Sequence, residues 1–249
     1  MIDIAITATL RPELLYRTLR SFYDKCFNEY CYDIKNDNLH IVINVDPVGN
    51  NKKISKKISQ KNILKVCEEF SNNITYNFAP EASFPKAVKW VWSNCKHDYV
   101  FHLEDDWELN RYIRLKRLIK YLIKTEVVAI KLYKKTYPKN EPYVMFDSEY
   151  KYDGDELFIA RDSGTQFGLN PTLIKRSYLT EALPLMVDDL NPEKQFRHRN
   201  PNMKEFVLKY KYGIFGIPGD SALVTDIGTS WREKRNIRKP KGTSFLTWI

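Results

Sequence analysis

DYVFHLEDDWEL, residues 98–109, joins an apolar run to three consecutive carboxylates. Val100, Phe101 and Leu103 are the side chains of a buried strand, so the stretch predicts a strand over 98–103. Glu104, Asp105 and Asp106 then repel one another unless something neutralises them. Side chains alternate along an extended chain, which predicts Glu104 and Asp106 on one side and Asp105 on the other. Two converging hard oxygen donors suit Mg2+ or Mn2+, and a cation held there would bridge to the phosphates of a nucleotide. A solvated strand end is the competing reading. The surrounding elements decide between them.

Upstream, IDIAIT (2–7) is a β-rich run that ends in Thr7-Ala8-Thr9, followed by Arg11-Pro12. Proline suits the first turn of a helix, and Leu14, Leu15, Leu19 and Phe22 follow at amphipathic spacing. LHIVINV (39–45) is a second strand, broken by Asp46-Pro47, and a lysine-rich helix spans 53–71. ITYNF (74–78) predicts a third strand and FPKAVKWVWSNC (84–95) a helix whose Trp90 and Trp92 serve as core and covering residues. Downstream, RYIRLKRLIKYLIK (111–124) carries one apolar stripe opposite Arg and Lys, and VVAIKLY (127–133) is a fifth strand. Alternating β and α without a linker predicts an α/β fold with a mainly parallel sheet flanked by helices. In such sheets ligands collect beyond the carboxyl ends of the strands. Thr7-Ala8-Thr9, Asp46 and Glu104-Asp105-Asp106 therefore fall along one edge.

The second half is less regular. Residues 134–165 carry the Tyr, Pro, Asp and Gly of hairpins and loops. QFGLNPTLIKRSYL reads as a strand entering a helix capped by Asn170, with Pro171 at its first position, and Asn191-Pro192 repeats that logic. GIFGIP and ALVTDIG are late strands, and the chain from 231 is strongly basic. No internal repeat or clean domain boundary is present, so 1–249 reads as one domain.

A hydrophobic share of 43% over 249 residues is ample for a core. Cys26, Cys31, Cys67 and Cys95 form no C-x-x-C pair, which argues against a zinc site or redox dithiol and for reduced, buried thiols. The first residues lack the basic flank and apolar stretch of a leader, and no window approaches the ~18 uninterrupted apolar residues of a membrane span. A cytoplasmic protein is expected. The net charge of +9 favours anionic partners such as nucleotides, nucleic acid or a phospholipid surface, although lysines on solvated helix faces explain most of it.

IAITATLRPELLYRTLRSFY, IVINVD and YVFHLEDDWEL, in that order and at those separations, resemble the nucleotide-sugar domain of GT-A fold, family 2-like glycosyltransferases. The similarity covers roughly residues 1–133, making that half the donor-binding part and 134–249 the acceptor side with a basic tail. The resemblance implies that Thr7, Ala8, Thr9 and Arg11 embrace the nucleotide base and ribose, and that Asp46 hydrogen-bonds the base. It places Glu104-Asp105-Asp106 at the Asp-x-Asp motif, with Asp106 the direct metal ligand. Glu104 stands where the motif has Asp, which leaves open whether Glu104 or Asp105 assists the metal and the ribose. It further implies that a C-terminal loop closes the donor site, with Asp226, Trp231, Arg232 and Lys234 as members and the cations screening the diphosphate.

Transfer from a sugar nucleotide needs the leaving diphosphate neutralised, here by Mn2+ or Mg2+ with nearby cations. Inversion also needs a base for the acceptor hydroxyl. The resemblance implies an Asp or Glu near a helix start in the second half: Asp188, Asp189 or Glu193, with Glu193 favoured. A glutamate at that place is also stabilised by the helix dipole, so a structural role competes. His198, between arginines, reads as a surface residue.

The function that follows is transfer of a sugar from a nucleotide-sugar donor to a hydroxyl of a glycan, a protein or modified DNA. A basic face built from Lys52–Lys65 and the tail would hold a polyphosphate. A sugar nucleotidyltransferase would open with a glycine-rich loop after the first strand, and TATLRPE has no glycine. A non-catalytic basic module binding nucleic acid or glycan on the same fold is the other alternative.

Overall fold

A computed structural model describes residues 1–28, 38–49, 54–134, 146–152, 155–160, 168–216 and 221–235. The first half alternates as the periodicity requires: β1 (Ile2–Thr9), α1 (Pro12–Phe22), β2 (Leu39–Asp46), α2 (Lys56–Glu68), β3 (Asn73–Phe78), α3 (Phe84–Ser93) and β4 (Tyr99–Glu104). Then come the short β5 (Trp107–Leu109), α4 (Leu115–Lys124) and β6 (Val127–Leu132). The second half supplies β7 (Phe146–Tyr152), β8 (Asp155–Ala160), β9 (Thr172–Lys175), α5 (Arg176–Ala182), α6 (Pro192–Lys194), α7 (Pro201–Val207), β10 (Lys211–Phe215), β11 (Val224–Asp226) and α8 (Ile227–Glu233).

Nine strands form the main sheet in the order β3-β2-β1-β4-β9-β6-β10-β8-β7. β1 pairs in parallel with β2 on one side and β4 on the other, and β3 extends this block beyond β2. Ile2, Ile4, Ala5 and Ile6 are buried at consecutive and alternate positions alike, because a central parallel strand is covered on both faces. α3 packs on β1 and β2, α4 on β6, and α1 against α2 and β5. One apolar core runs through these layers, with Phe22, Phe27 and Phe101 in edge-to-face or tilted contact near its centre.

β9 departs from the expected reading. It lies antiparallel between β4 and β6, with Leu173 and Ile174 buried. Asn170-Pro171 thus precedes a strand instead of capping a helix, and α5 starts only at Arg176. The Thr172 hydroxyl donates to the carbonyls of Gly168 and Asn170, and that local turn sends the chain into the sheet. At Asn191-Pro192 the cap does form: the Asn191 side chain accepts from Lys194 N and Pro192 is the first helical residue. The predicted helix over 111–124 begins later, at Leu115, and ahead of it Ile113 N donates to the Lys25 carbonyl instead of to a helical partner. Since β9 runs backwards, its first residue sits at the edge where β1, β2, β4 and β6 end. Thr172 faces His102, two residues before Glu104.

Candidate active site

The carboxyl ends of β1, β2 and β4 border an open cleft lined by Thr7, Ala8, Thr9, Arg11, Asp46, Glu104, Asp105 and Asp106, with Phe84 and Ala87 from α3. Eight residues anticipated from the sequence therefore share one cavity. The Thr7 hydroxyl beside it is buried and finds no hydrogen-bond partner among the described residues.

Extended alternation stops at Glu104, because Asp105 and Asp106 form a turn. The expected opposition of Asp105 to Asp106 is lost, and both reach Arg11. The Arg11 guanidinium bridges them, with Nη2 on Asp105 Oδ1 and, at 3.1 Å, on Asp106 Oδ2, and with Nε 3.3 Å from Asp105 Oδ2. Asp105 Oδ2 also accepts from the backbone N–H and hydroxyl of Thr9 at 2.9 and 3.2 Å. Asp105 is thus committed to fastening the β1 loop. Burial works against the charged Arg11, but the two carboxylates more than offset it and hold the guanidinium above its ordinary value. Gly49, at φ 86°, packs over this pair: a Cβ there would lie 3.0 Å from Arg11 Cγ and 3.1 Å from Thr9 Oγ1.

Asp46, ending β2, accepts from Ser83 N and Asn44 Nδ2, both at 3.1 Å, and Asn44 in turn accepts from Asn77. Burial is the main influence on Asp46 and, with repulsion from Asp105, outweighs those hydrogen bonds, raising its pKa to about 6. Four carboxylates thus face the cleft against one lining guanidinium, Arg11.

α8 closes the far side of Asp106. β11 pairs antiparallel with β5, placing Asp226 opposite Trp107, and Ile227 N donates to the Asp106 carbonyl at 2.9 Å. Asp226 caps α8 through Thr229 N. A Cβ on Gly228 would lie 2.0 Å from Asp106 Oδ2, so only glycine fits against the acid. Trp231 packs with Leu14 and Ile227 in a small separate cluster, donates its indole N–H to Glu13 at 3.0 Å, and is flanked by the guanidiniums of Arg11 at 5.2 Å and Arg235 at 4.2 Å. Arg232 is buried with Nη1 3.7 Å from Asp106 Oδ2, whereas Lys234 is exposed. The chain after 235, including the rest of the basic tail, lies outside the described residues, as do the side chain of His198 and residues 50–53 ahead of α2.

Among the acidic residues of the second half, Glu193 is half-buried and accepts from Leu169 N at 3.1 Å, three residues before β9, and it is not among the described residues that line the cleft. Asp188 and Asp189 are exposed, and Asp188 pairs with Lys89 of α3 at 2.7 Å. Gln195 folds the loop that carries these acids, exchanging hydrogen bonds with both polar groups of Val187 and donating to Leu190 O. Sequence reading missed Gln195, Gly228, Trp107 and Lys134. Lys134 Nζ lies 3.0 Å from Asn170 Oδ1 and above the Trp107 ring. Their roles depend on contacts between distant segments, and only a lone glycine in the first turn of a short helix hinted at one of them.

A separate cluster sits at the opposite end of β1. Asp3 Oδ1 accepts from His40 and His97 Nδ1 at 2.7 and 2.8 Å, and Oδ2 from the backbone N–H of Lys96 and His97. Their ligand atoms are close enough for a metal, yet the carboxylate is already saturated by hydrogen bonds, and imidazole donors suit zinc better than Mg2+ or Mn2+.

No family profile and no curated protein matches the sequence. Solved structures do match the fold. TarS 1–349 of S. aureus, in complex with UDP-GlcNAc, aligns with a TM-score of 0.56 at 11% identity over 90% of this chain and 57% of that one. Mannosyltransferase PcManGT from Pyrobaculum calidifontis, in complex with GDP-Man and Mn2+, gives 0.55 at 13% over 94% and 60%. The chain has the GT-A fold. GalNAc-T7 with UDP, GalNAc and Mn2+ gives 0.54 at 10%, over 91% of this chain and 43% of that one. This GT-A chain thus spans less than two thirds of the length of each.

Proposed function

We propose that this protein is a metal-dependent, inverting glycosyltransferase that moves a sugar from a nucleotide-sugar donor to an acceptor hydroxyl. The observation that carries the proposal is the cleft uniting the β1 loop, Asp46 and the acidic turn at the carboxyl edge of a GT-A sheet. Bound UDP-GlcNAc, and GDP-Man with Mn2+, in structures of the same fold support it.

The cleft's donor set fits a hard divalent cation. All its anionic groups are carboxylates, and a donor diphosphate brought into this acidic surround needs compensating positive charge. Glu104 and Asp106 would hold Mn2+ or Mg2+, which neutralises the leaving diphosphate when bound. Thr7, Ala8 and Thr9 would line the base and ribose, with Asp46 accepting from the base. Arg11 is a positioning residue: it fixes Asp105 and, through it, the loop. Trp231, Arg232 and Lys234 would close over the diphosphate. Glu193, with Oε1 held by Leu169 N, would take the acceptor proton on Oε2 as the acceptor oxygen attacks the anomeric carbon and the C–O bond to the nucleoside diphosphate breaks.

The proposal treats residues 1–133 as the donor half and 134–249 as the acceptor half of one domain. It names a glycan, or modified DNA held by the basic surface, as acceptor, and the cytoplasm as the location. Buried free Cys26, Cys67 and Cys95 suit that reducing compartment, and burial lifts the Cys67 thiol to about 12.

Release of nucleoside diphosphate from a panel of sugar nucleotides with Mn2+ tests the enzyme reading. Glu193→Gln is expected to lower kcat by about 100-fold or more with donor KM little changed. Near-normal turnover would move the base to Asp188 or Asp189. Donor binding with no turnover on any acceptor would favour the binding-module alternative.

A further inference from the structure

We infer that the outer edge of β3, with the face of α2 beside it, binds a second copy of this chain, the two β3 strands pairing antiparallel about a two-fold axis at Tyr76. β3 ends the main sheet, pairing with β2 and with no other strand among the described residues. An edge strand presents a row of backbone N–H and C=O groups that pair readily with another chain unless charge, proline or a bulge blunts them. Asn73–Phe78 reads NITYNF, with no charged residue and no proline. Its register with β2 runs unbroken from Asn73 opposite His40 to Phe78 opposite Val45. In a chain that is 29% charged, this edge is left open to pairing.

The side chains select the occupant. Ile74 and Tyr76 line a groove with Leu64 and Glu68 of α2, and Phe78 continues their face, its ring 5.4 Å from that of Tyr76. Tyr76 is 52% exposed. The opposite face is polar and engaged within the chain: the Thr75 hydroxyl is hydrogen-bonded to His40 Nε2, and Asn77 donates to Asn44. Antiparallel pairing centred on Tyr76 sets that ring against its own copy and Ile74 against Phe78 on both sides, so the apolar face is its own complement. As the crossover between two parallel strands, α2 runs back along β3. Lys57, Lys61, Leu64 and Glu68 recur at helical spacing on its groove side, with the cations near its start and the acid at its end. The two-fold axis lays α2 and its copy antiparallel on one face of the joined sheet, which brings Glu68 of each toward Lys57 and Lys61 of the other. Such a contact is isologous and closes at two copies. The two carboxyl-edge clefts then face opposite ways along the joined sheet.

The test is sedimentation equilibrium of the full chain over about 1–200 µM, where wild type is expected to dimerise reversibly with micromolar-class affinity. Tyr76→Lys, which sets two cations against each other on the axis, should weaken the dimer about 100-fold or more. Glu68→Lys and Lys61→Glu should each weaken it about fivefold. The double variant Glu68→Lys/Lys61→Glu restores opposite signs across the axis and should return toward wild type. All three positions are exposed, so the variants are expected to fold, which circular dichroism checks; Tyr76→Asp replaces the lysine variant if that one is unfolded. A wild type that stays monomeric throughout the range overturns the proposal, as does a dimer that the Tyr76 variant leaves intact. A double variant weaker than both single charge variants overturns the antiparallel arrangement.

Discussion

Asp46 sets burial against ionisation within the proposed donor site. Its folded pKa of about 6 lies above the ordinary 3.8, mainly through burial, so the folded chain holds an extra proton between those values. Stability from this group is therefore present at low pH and declines as pH rises through about 6. Asp46→Asn should stabilise the ligand-free protein by about 1–2 kcal/mol at pH 7.5 and by almost nothing at pH 4, measured by urea unfolding. The same substitution should weaken nucleotide binding at pH 7.5, because a carboxylate acceptor is lost. A destabilised Asn variant at neutral pH would show that the Ser83 and Asn44 hydrogen bonds dominate instead. At this scale Thr7, Asp46 and Asp106 were legible in the sequence because each sits at the end of a strongly patterned strand. Arg11's grip on Asp105 was not, since it depends on a turn that overrides strand alternation by one residue.

α8 packs against Asp106 of the acidic turn, and Gly228 sets how closely it approaches. Gly228→Ala places a methyl group 2.0 Å from Asp106 Oδ2, so either the helix or the carboxylate must shift. The expected cost is about 1–3 kcal/mol in a denaturant melt, together with loss of Mn2+-dependent nucleotide binding. Unchanged binding would mean that α8 can lift from Asp106 freely. The elements themselves were readable where periodicity is long: β1, β2, β4 and α1–α4 follow from their apolar patterns, within a few residues at their ends. β11 falls within ALVTDIG, but β5, at three residues, and β9, at four, were not readable, because such short runs carry little pattern of their own. Their identity comes from the partner strand, and that is non-local information.

Across the whole molecule, the two ends of the central strands are put to different uses. At the amino end Asp3 is saturated by two imidazoles and two backbone amides, which knit β1, β2 and the α3–β4 loop. At the carboxyl end four acids line one cleft, and the backward run of β9 starts near the same edge, with Thr172 opposite His102. The parallel block and its ligand edge could be read from alternating β and α segments; the acceptor side could not, since its strands join the sheet out of sequence order. The central claim is that this edge binds a sugar nucleotide through a divalent cation on Asp106. Isothermal titration with UDP- and GDP-sugars, in Mn2+ and then in EDTA, on wild type and Asp106→Asn, tests it most directly. The account predicts micromolar-class binding of at least one donor in Mn2+, weakened about 100-fold or more by EDTA or by the substitution. Equal affinity in EDTA and in Asp106→Asn, or no binding of any donor, would contradict it.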